Sequence, residues 1–375
     1  MAAIRAACLT DHSLRRRLGE CLTAQDAARV LGQPMEPLAS LMAQFDAEAV
    51  EPGWPQPLFV LDQAPPADFL PAGMTIHADQ LVIEWLWFGA DALVDAYFYQ
   101  SQHRMRGLPI NLLLRCLTPI TALEQFANAP APDGLLLHLS RCGSTLTTRM
   151  LAADPGNVVV AEAPFLDHVV QLAGAGLLPE WMVHAAMAAL LRFRDGSGKR
   201  GMVKLDAWHT LAMPLLQRVF PATPWCFLFR DPAEVLVSQH RSPGRHVQLG
   251  QLHLDAFGMT LPEGLDPAAY PAWMTECICR AALAARHDPH GCFVDYRALP
   301  AAVSDTILPH FGVHPDAATC AAMAGVAGVD AKAPDRAFTS DSQAKQAEAA
   351  GLVVPASLRA AHAALIAAAA TPPGL

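Results

Sequence analysis

The sequence predicts an α/β fold: a P-loop-like three-layer core with a central parallel sheet flanked by helices, preceded by an N-terminal extension or small domain. Three observations carry this. Short apolar runs alternate with helical stretches from Gly134 onward, the pattern of a parallel sheet with helices on both faces. One of those runs ends at a small-residue turn, "SRCGSTL", and a helical pattern starts directly after it. Residues 1–130 lack the alternation and include the Pro-rich stretch "EPGWPQPLFVLDQAPPADFLPAG", which reads as an irregular surface connection.

Taken in order, "SLRRRLGECLTAQDAARVLG" has helical spacing, and "LVIEWLWFGADALVDAYFYQSQHRM" reads as a strand followed by a helix. The block "ANAPAPDG" at 127–134 marks a boundary, giving an N-terminal region 1–130 of open role and a core domain 131–375. Within the core the strands are expected at 135–139, 157–161, 202–205, 225–229 and 292–295. Helices are expected at 145–153, 166–193, 210–220, 233–241 and 271–287. In such sheets ligands bind beyond the C-terminal ends of the strands, so the residues that follow each strand are the ones to read.

Composition narrows the field. The chain has 375 residues, 53% of them hydrophobic and 16% charged, which suits a globular protein with a large core. A net charge of -9 argues against a nucleic-acid partner while leaving room for one basic pocket. The nine cysteines are scattered, and the Cys277-x-Cys279 spacing has no second pair to complete a zinc site, so free thiols in a reducing compartment are expected. The start, "MAAIRAACLTDHSLRRRLGE", has no apolar core of signal-peptide length, and no apolar run approaches the ~20 residues of a membrane span. A cytoplasmic location is the expectation.

After the first core strand come Ser140, Arg141, Cys142, Gly143, Ser144, Thr145 and Leu146. Gly143 allows a close backbone approach to an anion, the N–H groups of 143–146 sit at a helix N-terminus, and Arg141 adds a permanent charge. The segment lacks the Gly-Lys-Ser/Thr of a nucleotide triphosphatase loop. Alone, it is also compatible with an ordinary turn capped by Ser and Thr. After the fourth core strand comes "RDPAEVLVSQHRS", with Arg230 at the strand end and Ser238 two helical turns further on, near the same face. An Arg and a Ser so placed can grip a second phosphate together.

Taken together, "SRCGSTL" and "FLFRDPAEVLVSQH" resemble the paired signatures of sulfotransferases that use 3'-phosphoadenosine 5'-phosphosulfate (PAPS). The segment "CFVDYRALPAAVSDTILPHFGV" is similar to the family's strand-Tyr-x-x-Leu segment, so the resemblance spans about 134–315. It implies that Arg141, Cys142, Gly143, Ser144, Thr145 and Leu146 hold the 5'-phosphosulfate, Cys142 through its backbone. It implies that Arg230 and Ser238 hold the 3'-phosphate. Sulfuryl transfer moves a less charged group than phosphoryl transfer, so cations such as Arg141 and Lys204 can serve without a metal, and no metal is expected.

A general base must take the acceptor's proton. Glu162 follows the second strand, 21 residues after Arg141, a spacing similar to that of the catalytic glutamate of protein-tyrosine sulfotransferases. Many cytosolic relatives instead carry Lys-x-His on the third strand. Here "MVKLDAWHT" supplies Lys204 without that His, leaving Asp206 and His209 as reserve bases. His240, His246 and His253 are candidates for the acceptor side. Ser340, Asp341, Ser342 and Lys345 could close over the nucleotide, but without the family's Gly-x-x-Gly a simple helix cap is the better reading of that loop.

The expected activity is metal-independent sulfuryl transfer from PAPS to a hydroxyl or amine of a small-molecule or peptide acceptor. An ATP-dependent phosphotransferase and a non-catalytic nucleotide-binding protein on the same scaffold remain the alternatives. Acceptor identity and oligomeric state are not readable from the sequence.

Overall fold

The computed structural model describes residues 2–34, 59–192, 199–329, 342–349 and 351–370. Helices α1 (Ala2–Thr10), α2 (His12–Gly19) and α3 (Ala24–Leu31) come first. Strands β1 (Phe59–Val60), β2 (Phe69–His77), β3 (Gln80–Trp87) and β4 (Cys116–Pro119) form a four-stranded sheet in the order β1-β4-β3-β2. Helices α4 (Phe98–Arg106) and α5 (Pro109–Leu114) lie between β3 and β4. The helical spacing and the strand-then-helix reading both hold. The Pro-rich stretch read as irregular differs, because its end opens β2. Part of that stretch, together with Ser340 and Asp341, lies outside the described residues.

The core contains β5 (Gly134–His138), α6 (Ser144–Ala152), β6 (Asn157–Ala161), α7 (Pro164–Gly174), α8 (Trp181–Leu190) and β7 (Arg200–Lys204). It continues with α9 (Met213–Val219), β8 (Trp225–Phe229), α10 (Pro232–Arg241), α11 (Tyr270–Ala284), β9 (Gly291–Asp295), α12 (Ala317–Ala327), α13 (Ser342–Ala349) and α14 (Ala356–Ala369). All neighbouring core strands pair parallel, in the order β6-β7-β5-β8-β9. The predicted α/β core with a parallel sheet is therefore present. The stretch 166–193 differs from expectation: Gly176, at φ +72°, ends α7, and Pro179 precedes a separate α8.

The strands are apolar on both faces, and period-2 alternation sorts their side chains into two layers. Leu135 and Leu137 of β5, Trp225, Phe227 and Phe229 of β8, and Val158 and Val160 of β6 face one core. Leu136, Cys226, Leu228 and Val159 face the other, which Met150 and Leu151 of α6 and Val303 and Ile307 help to close. The first core also contains Phe69, Leu70, Trp85 and Leu86 from the N-terminal sheet. One hydrophobic cluster therefore crosses the 130/131 position.

Arg192 reinforces that junction. Just past α8, its guanidinium donates to the carbonyls of Pro65, Pro66 and Phe69 at 2.8, 3.2 and 3.1 Å. It also lies 5.5 Å from the Trp85 ring centroid. Burial lowers its pKa to about 10 while the charge stays on. Hydrogen bonds from a charged donor contribute about 1.5–3 kcal/mol each, so Arg192→Ala is expected to cost at least about 2 kcal/mol. Chemical denaturation should show one cooperative transition for both proteins, and two separate transitions in the parent protein would contradict the shared core.

Candidate functional site

Strand β5 is the topological switch point of the core sheet. Its neighbours β7 and β8 lie on opposite sides, so a crevice opens past its C-terminal end. The loop 140–143 sits there in an uncommon conformation. Ser140 and Arg141 have φ of +68° and +54°, and Gly143 has +84°. A left-handed conformation costs a non-Gly residue roughly 1–2 kcal/mol, so the loop must be held. The Ser140 N–H donates to His138 Nδ1 at 3.0 Å, and Gln239 of α10 donates to Ser140 Oγ at 3.2 Å. Arg230 Nη1 reaches the Arg141 carbonyl at 3.4 Å, and Arg141 Nη2 donates to the Ser242 carbonyl at 2.5 Å. The segment after β8 thus braces the loop after β5. Glycine suits position 143, because an L side chain is strained at φ +84° and a Cβ there would also press on Leu299 Cδ1 at 2.6 Å.

These groups line one cavity of about 790 Å³, within the ~300–1,000 Å³ range of small-molecule sites. Arg141, Gly143, Ser144, Thr145 and Leu146 line it, as do Arg230, Ser238, Glu162 and Lys204. Lys345 and His246 line it too, whereas His240 and His253 do not. Cys142 is the loop residue whose side chain is absent from the lining: it is fully buried in the second core, and burial pushes its thiol up to about 11. Arg141, Lys204, Arg230, Arg245 and Lys345 face the cavity against one carboxylate among the described residues, so a chain of net charge -9 carries a locally basic crevice.

Glu162 follows β6 with φ +51°, and its N–H is held by the Lys204 carbonyl at 2.9 Å. Its Oε1 lies 2.5 Å from Lys204 Nζ and 3.2 Å from His138 Nε2. Lys204 is 1% exposed, and its ammonium lies 5.0 Å from the Tyr97 ring centroid. Burial works against the Glu162 charge, but Lys204 and the His138 hydrogen bond outweigh it and hold the carboxyl well below its usual range. Arg230 is 5% exposed, pairs with Glu234 through Nε at 2.7 Å and stacks over Tyr296 at 4.0 Å.

The reserve bases lie behind the cavity wall. His209 Nε2 donates to Asp167 at 2.9 Å, while its Nδ1 accepts the Asp206 N–H at 3.3 Å. Asp206 is buried, and burial together with the nearby Glu162 and Asp167 raises its pKa well above the usual range. Asp167, Asp206 and His209 bring ligand atoms within 4.8 Å of one another. The Asp167 oxygens already accept from His209, Trp208, Gln171 and Arg245, which makes the group a hydrogen-bonded network.

Sequence reasoning missed His138, Tyr97, Tyr99 and Trp208, all of which line the cavity. Tyr97 and Tyr99 stack at 5.5 Å and come from the N-terminal region, which therefore supplies part of the wall. An aromatic in a Pro-poor apolar stretch carries no signal that separates wall from core.

No family model and no curated protein matches the chain. In fold it is similar to three solved structures. The sulfotransferase domain from the curacin biosynthetic pathway matches with 12% identity and a TM-score of 0.40, over 63% of this chain and 98% of that one. The sulfotransferase domain of the Synechococcus PCC 7002 olefin synthase matches with 18% identity and a TM-score of 0.37, over 64% and 94%. Sulfotransferase STF1 from Mycobacterium tuberculosis H37Rv matches with 16% identity and a TM-score of 0.32, over 62% and 83%. At these values the likeness is one of partial fold. No helix among the described residues is long and apolar enough to cross a membrane.

The burial of Cys142 has a direct consequence. A fully buried thiol with a raised pKa is a poor nucleophile, so alkylating reagents at neutral pH should leave Cys142 unmodified until the chain unfolds. Peptide mapping by mass spectrometry checks this, and rapid labelling of the folded protein would contradict the loop geometry.

Proposed function

We propose that the chain transfers a sulfuryl group from PAPS to a hydroxyl or amine acceptor without a metal ion. The observation that carries this is the joining of three elements in one cavity: the β5–α6 loop, the Arg230/Ser238 pair and the Glu162–Lys204 pair. PAPS has two separated phosphate groups, and the cavity has two separated places to hold them. The 5' end would lie on the loop from Arg141 to Leu146, where first-turn N–H groups lack helical acceptors. The 3'-phosphate would lie at Arg230 and Ser238, with the Arg230 guanidinium exchanging part of its Glu234 contact for the ligand.

In the reaction, the Glu162 carboxylate takes the acceptor's proton as the acceptor oxygen or nitrogen attacks sulfur. The bond from sulfur to the bridging oxygen breaks in line, and 3'-phosphoadenosine 5'-phosphate leaves. Lys204 and Arg141 stabilise the charge that develops on the departing phosphate. Lys204 also tunes the base. While it is paired with Glu162, the carboxylate is a weak base; as Lys204 turns toward the donor's phosphate, the carboxyl pKa rises toward a useful value. Residues 131–375 would carry this chemistry, and residues 1–130 would cover the acceptor side through Tyr97 and Tyr99.

Two variants test the assignment with a labelled sulfuryl donor and a panel of hydroxyl and amine acceptors. Glu162→Ala should lower kcat by about 10²–10⁴ while nucleotide affinity survives. Retained turnover would remove Glu162 from the mechanism. Arg230→Ala should weaken binding of 3'-phosphoadenosine 5'-phosphate about tenfold or more, since a charge-assisted phosphate contact contributes at least about 1.5 kcal/mol. Unchanged affinity would overturn the 3'-phosphate site.

A further inference from the structure

His138 is the last residue of β5, it is 4% exposed, and it lines the cavity. Its two ring nitrogens face different partners. Nδ1 lies 3.0 Å from the Ser140 N–H, a group that can only donate, so Nδ1 is the acceptor. Nε2 lies 3.0 Å from the Leu205 carbonyl and 3.2 Å from Glu162 Oε1, both acceptors, so Nε2 carries the proton. The ring is therefore neutral and fixed in one tautomer. Burial and the Lys204 charge both oppose a second proton. The charged and titratable groups around it are Glu162, Lys204 on β7 and His246 on the 245–247 turn.

We propose that His138 is the positioning residue that ties the phosphate loop to the base: Nδ1 holds the strained Ser140–Arg141 backbone while Nε2–H holds Glu162. The contact decides which oxygen of Glu162 does the work. His138 and Lys204 both approach Glu162 at Oε1, which assigns Oε2 to the acceptor in this reading. When Lys204 turns toward a phosphate, His138 keeps the carboxylate in place. Without it, Glu162, held at φ +51°, would lose that anchor through the transfer step. This deepens the sulfuryl-transfer reading above and rests on it for the kinetic outcome alone, because the tautomer and its three contacts are independent of the reaction.

The two halves of the ring can be removed separately. Asparagine places its amide oxygen near the position of Nδ1, and glutamine places its amide nitrogen near that of Nε2. His138→Asn should keep nucleotide affinity, lower kcat about 10- to 100-fold, and move the acid limb of the kcat–pH profile upward, since a donor that favours the carboxylate is gone. His138→Gln should weaken nucleotide affinity and retain the larger share of kcat at saturation. If the two variants lose affinity and kcat in the same proportion, in step with their melting temperatures, the role is structural and the proposal fails.

Histidine side-chain ¹⁵N spectra of the full chain decide the geometry without any turnover. The signal lost in His138→Gln should show a neutral Nε2–H ring at pH 7, and its shift should change in Glu162→Gln. A doubly protonated ring, an Nδ1–H ring, or indifference to Glu162→Gln would overturn the coupling. Absence of sulfuryl transfer by the parent protein would instead sink the functional reading and leave this outcome standing.

Discussion

The left-handed turn at Ser140 and Arg141 is the constraint around which the site is arranged. Two non-glycine residues with positive φ would relax unless their surroundings held them. The bracing comes from residues distant in sequence: His138 below, Gln239 and Ser242 beside, and Arg230 across the crevice. One of these braces, Arg230, is also a residue proposed above to hold a phosphate. Parallel pairing of β5 with β8 brings Arg230 beside the loop, so the sheet itself sets the distance between them. The same turn opens α6, whose first-turn N–H groups would receive the anion under the proposed function.

Charge is managed by pairing inside the same crevice. Lys204 at 1% exposure and Glu162 neutralise one another, and Arg230 and Glu234 do likewise. A buried cation facing no anion would cost several kcal/mol, so each of these two carries a carboxylate. Under the proposed sulfuryl transfer, a bound phosphate would take over part of that pairing and free Glu162 as the base.

Much of the core was legible in the sequence, for physical reasons that can be named. The five core strands are buried on both faces and read as unbroken apolar runs, so each was placed to within two residues. The strand-to-helix turn after β5 was legible because Gly143 and the small hydroxyl residues after it suit a helix start. Strand β2 was not legible. Pro71 sits at a register shift against β3, and the hairpin turns through Ala78 and Asp79 at φ +47° and +59°, with no Asn-Gly to mark it. The helix expected at 210–220 begins in a 3₁₀ turn, 207–212, which places Trp208 on the cavity wall. His138 was illegible for another reason: a histidine at the end of an apolar strand looks like any core residue until the loop folds back onto Nδ1 and Glu162 arrives from the neighbouring strands.

Calorimetric titration of the full chain with 3'-phosphoadenosine 5'-phosphate, and separately with ATP with and without magnesium, measures the two-phosphate grip most directly. The account predicts that the bisphosphate nucleotide binds without magnesium and more tightly than ATP under either condition. Preferential, magnesium-dependent binding of ATP, with no heat from the bisphosphate nucleotide, would contradict it.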